Sequence, residues 1–247
     1  MKHWSLVTIG LVAYSLGVIA TAPATLVDAG LQRISQGKLR LVEAQGTLWS
    51  GSGQIEIRDA GGRTGVAKSF AWRMLPASLL RGHLVCEVEL EQATQSFPVT
   101  ISLSRIELTN ADISLPAAAL GLGVPKLAPL GLSGELLLHV ASLSIERGQM
   151  HGSAALQWRD AGSVFTPISP LGDYEVNFDG EGATVHLLLR TIQGPLQLDG
   201  KGSWTNGGSP NFLGIARVPP QHQQQLDPLL RLIAVERGAG TFALQIE

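Results

Sequence analysis

Short segments in which apolar and polar residues alternate recur along most of the chain, and they constrain its fold more than any other feature. Successive side chains of a strand point to opposite faces of a sheet, so strict alternation predicts a strand with one buried face. Such segments are residues 54–58, 84–90, 101–104, 136–145, 156–159, 174–179, 185–189, 196–198 and 242–246. Glycine, proline, asparagine or aspartate separates them, as is typical of the turns of an antiparallel sheet. We therefore predict one mainly β domain of roughly ten or more strands, built on an antiparallel sheet with one buried face.

Helix is scarce in this pattern. Residues 76–81 have proline in the first turn and a glycine after the end, and residues 116–122 are similar but shorter. The best helical spacing runs over about residues 221–235, with leucines on one face. Pro228 lies inside that run, and we expect it to split the helix or to mark its true start, because proline has no N–H to donate.

The N-terminal region contains a long stretch without charge, residues 4–27. About 20 apolar residues in a helix match the roughly 30 Å hydrocarbon core of a bilayer. A cleaved secretory signal is the alternative, and the small residues 20–22 would fit its cleavage site. However, the run is longer than the roughly 7–15 apolar residues of a signal core, and Pro23 would follow the cut. We expect an uncleaved transmembrane helix, which the amphipathic residues 24–34 extend.

This segment divides the chain into two parts. Residues 1–27 are predicted to be a cytoplasmic head and transmembrane anchor, and residues 28–247 a β-rich domain outside the cytoplasm. The positive-inside rule favours the opposite orientation, since Arg33, Lys38 and Arg40 all follow the span. Long domains nevertheless cross the membrane largely regardless of charge, so we place the body outside the cytoplasm.

Composition excludes several classes of protein. The net charge is −2 and only 15% of the residues are charged, so there is no basic stripe with which to bind nucleic acid. Cys86 is the single cysteine, and an intramolecular disulfide is therefore impossible. Because Glu87 and Glu89 beside it disfavour a thiolate, we interpret Cys86 as a buried apolar side chain.

No motif for catalysis or metal binding is present. The six histidines form no HExxH pattern, and no G-x-S-x-G elbow occurs. Glu87, Glu89 and Glu91 share one face of a predicted strand, which is typical of a solvated surface. The sequence thus predicts no catalytic residue, no metal ligand and no cofactor, and the protein is expected not to be an enzyme.

Two stretches carry a resemblance to a known family. The first is residues 43–53, EAQGTLWSGSG, and the second is residues 134–158 followed by residues 170–174. Together with one N-terminal span, they make the chain similar to protein N of the type II secretion system over essentially its whole length. The resemblance implies a single-pass inner-membrane protein with a periplasmic domain, which helps to move folded proteins from the periplasm across the outer membrane. It implies other secretion-system proteins of the inner membrane and periplasm as partners. The family is distantly similar to AsmA-like proteins, whose elongated sheets curve into grooves.

The motif in the first stretch supplies the candidate partner contact: Gly46, Thr47, Leu48, Trp49 and Gly51. Trp49 stands between two glycines in a predicted strand. One interpretation is an aromatic ring packed over backbone without side chains. The other is an exposed anchor for a partner protein, since tryptophan is enriched in interface hot spots.

Two functions from different classes follow. The first is a non-enzymatic inner-membrane component of the secretion machine, with lipid around its anchor. The alternative is an envelope module that binds a lipid or another hydrophobe in an AsmA-like groove, because an open curved sheet would expose an apolar concave face. Unpaired edge strands would also allow a neighbour to bind by strand addition.

Overall fold

The structure is a computed structural model that describes residues 10, 11, 14, 15, 17–58, 64–91, 95–123, 125–205, 208, 211–238 and 240–246. These residues form one 14-stranded sheet, in which each strand pairs with the next along the chain and only the last two exchange places, in the order β12-β14-β13. Every pairing is antiparallel. The predicted mainly β, antiparallel fold is confirmed.

The strands are β1 (Leu39–Gly46), β2 (Ser50–Arg58), β3 (Thr64–Leu75), β4 (His83–Leu90), β5 (Phe97–Ser102), β6 (Arg105–Pro116), β7 (Ser133–Glu146), β8 (Gln149–Gly162), β9 (Gly172–Gly182), β10 (Thr184–Gln193), β11 (Gln197–Thr205), β12 (Asn211–Arg217), β13 (Val235–Gly238) and β14 (Thr241–Ile246). The α-helices are α1 (Thr25–Ile34), α2 (Ala119–Gly123) and α3 (Gln223–Ile233), and the 3-10 turns are Pro76–Arg81, Pro125–Leu130 and Pro220–His222.

Most of the alternating segments are strands, but Leu103 is not part of one. It lies in the turn between β5 and β6 and is fully exposed. Ile101 pairs with Ile106, so the four residues between them must form a tight turn. The alternating pattern therefore continues past the end of the strand.

Pro228 does not split the last helix, contrary to the prediction. Helix α3 continues through it. Leu226 and Leu230 are fully buried and Leu229 is 3% exposed. Burial of a leucine side chain is worth about 1.5–3 kcal/mol, so the three together outweigh the roughly 3 kcal/mol that an interior proline costs.

One face of the sheet is mostly apolar, and its buried residues form three clusters. Helix α1 covers the N-terminal cluster around Leu41 and Trp72. The middle cluster, around Phe97 and Val140, is packed by side chains of β4 to β8. Helix α3 covers the C-terminal cluster around Tyr174, which is the largest. The sheet alone leaves this face uncovered, so the two helices bury its ends.

The sheet is open, and its first edge is capped by the chain itself. The side chain of Asp28 accepts a hydrogen bond from the backbone N–H of Leu41 at 2.8 Å. The hydroxyl of Ser35 accepts one from Leu39 N–H at 2.9 Å. Helix α1 therefore occupies donors of β1 that an incoming strand would need.

The predicted membrane span, residues 4–27, is only partly described, since residues 4–9, 12, 13 and 16 lie outside the described residues. In the part of the chain that the structure describes, no helix has both the length and the apolarity to cross a membrane. Residues 24–34 do not extend a preceding helix: residues 17–20 are helical, residues 21–24 are not, and α1 begins at Thr25. The interruption arises because Pro23 forms a β-bridge with Thr47.

Candidate functional site

The residues that the sequence singled out form the connection between β1 and β2, here called the Trp49 turn (residues 46–51). Thr47, Leu48 and Trp49 lie between the two strands, so the prediction that Trp49 belongs to a strand is wrong. Gly46 ends β1 with φ +95°, a conformation that glycine alone adopts readily. The N–H of Thr47 then donates to the carbonyl of Ser50 at 2.8 Å and closes the turn.

The Trp49 turn binds the segment that leads out of the apolar N-terminal region. The indole N–H of Trp49 donates to the carbonyl of Ile19 at 2.9 Å. The backbone N–H of Leu48 donates to the carbonyl of Ala22 at 2.7 Å, and Ala24 N–H donates to Gly46 at 3.3 Å. The place where the apolar segment joins the body is thus fixed to one end of the sheet.

Trp72 supports the turn from the neighbouring strand. Its indole N–H donates to the carbonyl of Leu48 at 3.0 Å, and its ring stacks on Phe70 with centroids 5.4 Å apart. A methyl group on Gly51 would clash with the carbonyl oxygen of Gln45 and would lie 2.6 Å from the Trp72 ring, so any side chain at this position is unfavourable. The aromatic that covers a glycine here is Trp72, which sequence reasoning missed.

Trp49 itself is half-buried. Its indole N–H is used within the chain, while part of the ring stays accessible. The role of Gly46, Thr47, Leu48, Trp49 and Gly51 as a partner contact stays a prediction.

The buried titratable groups are held in their neutral forms. Burial, with a smaller contribution from Glu87, raises the pKa of the Cys86 thiol, which lies in the N-terminal cluster as predicted. Burial likewise raises the pKa of Tyr174 well above its usual range, and its hydroxyl donates to the carbonyl of Leu196 at 2.9 Å. Neither group is ionised at neutral pH, so neither is a ready nucleophile.

A histidine and a carboxylate lie close together on the polar face of the sheet. His139 Nδ1 lies 2.7 Å from Asp112 Oδ1, and both side chains are more than half exposed. They are paired across β6 and β7, a proximity that their separation in sequence does not reveal. Within the described ranges, His, Cys, Asp and Glu form no group of three that could hold a metal ion.

A shallow cleft of about 470 Å³ opens on the polar face of β1 to β4, and Glu43, Gln54, Ser69, Glu89 and Glu91 contribute to its lining. The Ser69 N–H donates to the Glu91 carboxylate at 3.1 Å, and this bond lowers the pKa of Glu91. The lining contains neither histidine nor cysteine. The cleft is a hydrated acidic surface, in agreement with the expected exposure of the glutamate row.

A comparison of the sequence with models of known families gives a match that covers nearly the whole sheet. A family model described as "Type II secretion system (T2SS), protein N" matches residues 37–245. The matched region runs from just before β1 to the penultimate residue of β14 and contains the Trp49 turn. No curated protein and no solved structure matches the chain.

Proposed function

The chain belongs to the type II secretion system protein N family, and from this premise we propose that it is a non-enzymatic, inner-membrane component that assists export of folded proteins from the periplasm across the outer membrane. The family match over residues 37–245 carries the proposal. A role as a component of the secretion system follows from the family itself. The membrane placement and the mode of action are proposed.

The proposed membrane placement rests on the N-terminal segment. Residues 4–27 are uncharged, and Leu11, Tyr14, Val18 and Ile19 are each more than half exposed. Apolar side chains that do not pack on the sheet favour insertion into a bilayer. We propose that this segment is the single anchor, that its N-terminal end is cytoplasmic, and that the sheet lies in the periplasm.

The proposed absence of catalysis rests on the state of the buried groups. Cys86 and Tyr174 have raised pKa values, which opposes nucleophilic or base chemistry at neutral pH. The His139–Asp112 pair is exposed on the polar face, without the buried surroundings that tune a catalytic site. The body is therefore proposed to act through binding surfaces, with other secretion-system proteins as partners.

A clean deletion tests the role in export. We expect secreted proteins to accumulate folded in the periplasm, and wild-type protein supplied in trans to restore their release. Normal secretion in the deletion strain would contradict the proposal.

Reporter fusions test the topology. We expect alkaline phosphatase fused after residue 247 to be active, and a reporter that functions only in the cytosol to be inactive at the same position. The reverse pattern would place the body in the cytoplasm and overturn the proposed orientation.

Lipid or hydrophobe binding in an AsmA-like groove is a second candidate, and partial exposure of the apolar face favours it. Ile101, Ile106 and Trp204 lie on that face by strand register, and they are 41%, 47% and 51% exposed. Native mass spectrometry of the full chain tests this candidate: a bound lipid that survives purification supports it, and a lipid-free spectrum removes it.

A further inference from the structure

The 3-10 turn between β3 and β4, Pro76–Arg81, lies beside the Trp49 turn. Met74 N–H donates to the carbonyl of Trp49 at 2.6 Å, so the end of β3 and the Trp49 turn share one end of the sheet. Around this turn Leu75, Leu79 and Leu80 are 40%, 49% and 92% exposed. Leucines are rarely displayed together on a surface that faces only water.

The turn is held in place by a polar contact beneath it. Ser78 is buried, and its hydroxyl donates to the carbonyl of Leu75 at 2.6 Å and accepts from Val85 N–H at 3.0 Å. Gly82 ends the turn with φ +80°. The leucines therefore point outward from a fixed turn, since Ser78 occupies the inward position.

Two arginines lie at this end of the sheet, Arg73 near the end of β3 and Arg81 in the turn itself. Arg73 stands opposite Glu87 in the β3–β4 pairing, so Arg81 carries the positive charge nearest the leucines. Both arginines are exposed. Apolar side chains flanked by arginine are the combination that binds the headgroup region of an anionic bilayer.

The apolar N-terminal segment reaches the body at this same end. Trp49 bonds the carbonyl of Ile19, and Leu48 bonds that of Ala22. A bilayer that received the apolar segment before Ile19 would therefore lie against the Pro76–Arg81 turn, which is only two strands from β1. Tryptophan at such a junction is typical of the membrane–water interface.

We propose that Leu75, Leu79 and Leu80, with Arg73 and Arg81, form a second membrane contact that rests in the headgroup region of an anionic phospholipid bilayer. The proposal rests on the membrane anchor proposed above. The anchor and this surface together would hold the sheet in one orientation on the membrane, instead of letting it swing on a single tether.

Lipid quenching of a fluorophore tests the surface in the full chain. Cys86→Ala provides a cysteine-free background, into which single cysteines are introduced as Leu80→Cys, Tyr14→Cys and Val164→Cys and labelled with NBD. Val164 is the matched control, because it is an apolar side chain, 74% exposed, in the β8–β9 connection at the opposite end of the sheet. The protein is reconstituted in phosphatidylethanolamine–phosphatidylglycerol liposomes with or without doxyl-labelled lipid.

We expect doxyl lipid to quench the labels at positions 80 and 14 and to leave the label at position 164 bright. If the label at 14 is quenched and that at 80 is not, the surface is overturned while the anchor stands. If the label at 14 is not quenched, the anchor itself fails. Quenching at 164 equal to that at 80 would show adhesion by the dye and would also overturn the proposal.

The arginines supply a second measurement. In the Leu80→Cys protein, Arg73→Gln with Arg81→Gln is expected to reduce quenching in phosphatidylglycerol-containing liposomes, and added salt is expected to reduce it in the protein that keeps both arginines. The control pair Arg190→Gln with Arg217→Gln removes two exposed arginines from β10 and β12 and is expected to leave quenching unchanged. Equal quenching in all three proteins would overturn the part assigned to the arginines.

Discussion

The indole N–H of Trp49 connects the β1–β2 turn to the N-terminal segment through its hydrogen bond to Ile19. A phenylalanine at this position would remove the hydrogen bond and keep an aromatic ring. Trp49→Phe is expected to lower the free energy of unfolding by about 1 kcal/mol, the usual net value of a hydrogen bond. The bond to Ile19 is 2.9 Å long, and its loss should also make residues 19–24 more sensitive to protease. Urea unfolding and limited proteolysis measure the two effects.

Trp204→Phe is the matched control, because Trp204 is 51% exposed on β11 and far from the Trp49 turn in the strand order. We expect it to change neither stability nor cleavage at residues 19–24. A Trp49→Phe protein with normal stability but defective secretion would instead favour the partner-contact interpretation of Trp49.

Substitution by alanine is expected to have opposite effects on stability at Gly51 and at Gly30. Gly51→Ala is expected to destabilise the protein by about 1–3 kcal/mol, because the new methyl group would clash with the carbonyl oxygen of Gln45 and press on the Trp72 ring at 2.6 Å. Gly30→Ala is expected to stabilise it by about 0.5–1 kcal/mol, because Gly30 lies inside α1 with open space around it. Thermal unfolding of both variants measures these effects. A harmless Gly51→Ala would mean that both the Gln45 backbone and the Trp72 ring can shift.

The sequence drew attention to Trp49 but not to Trp72, and the reason is register. Gly51 lies opposite Trp72 because β2 and β3 pair in one alignment. A shift of one residue would send the tryptophan to the other face. The motif around Trp49 is contiguous and therefore visible, whereas its support comes from a strand whose alignment only the folded sheet determines.

At the level of elements, helix α1 protects the first edge of the sheet. Asp28→Ala would free the N–H of Leu41, which the carboxylate now binds at 2.8 Å. We expect a loss of about 1–2 kcal/mol in stability and a concentration-dependent tendency to associate through β1, since an open edge pairs with other strands. Urea unfolding and analytical ultracentrifugation measure these effects.

Asp227→Ala is the control for Asp28→Ala, since Asp227 forms a surface ion pair with Arg231, and such pairs are worth little. It should leave both stability and oligomeric state nearly unchanged. A monomeric, fully stable Asp28→Ala protein would show that α1 guards the edge by its bulk alone.

Helix α3 retains a proline that costs it a hydrogen bond. Pro228 cannot donate to the carbonyl of Gln224, so Pro228→Ala should restore one helical bond and relieve a clash. The unfolded chain gains about 0.4–1 kcal/mol of conformational freedom in return, and we expect a net stabilisation of about 1–2 kcal/mol. Pro220→Ala, at the first position of a 3-10 turn, should give no such gain. A lower melting temperature for Pro228→Ala would show that proline at this position helps to hold the leucines in place.

Alternation predicted those strands in which apolar residues occupy one face and polar residues the other. It missed strands in which the apolar face carries a charged residue or a glycine. In β3, Lys68 occupies an apolar-face position opposite Ile55. In β12, Gly214 does so opposite Gly200, and the ring of Phe212 lies over both glycines. Neither strand shows a clean period of two in sequence. These segments become strands because they pair with neighbouring strands. The local sequence does not contain that information.

At the scale of the whole molecule, a sheet whose strands contact mainly their neighbours should behave as a nearly linear array. Its buried residues fall into separate N-terminal, middle and C-terminal clusters. In such arrays stability is approximately the sum of local terms, and damage at one end spreads only a few units. The fold thus predicts regional stability along the sheet, which a single melting temperature would conceal.

Leu230→Ala tests this regional behaviour, because Leu230 is fully buried against the C-terminal strands. A cost of about 2–5 kcal/mol is expected for truncating such a leucine. Hydrogen exchange should report it as lost protection in β9 to β14, while β1 to β4 keep theirs. Leu41→Ala, in the N-terminal cluster, should give the reverse pattern, and Leu232→Ala, whose side chain is 56% exposed, should change neither region. An equal loss of protection across all strands in either core variant would mean that the sheet unfolds as one cooperative unit, with its clusters coupled through the middle strands.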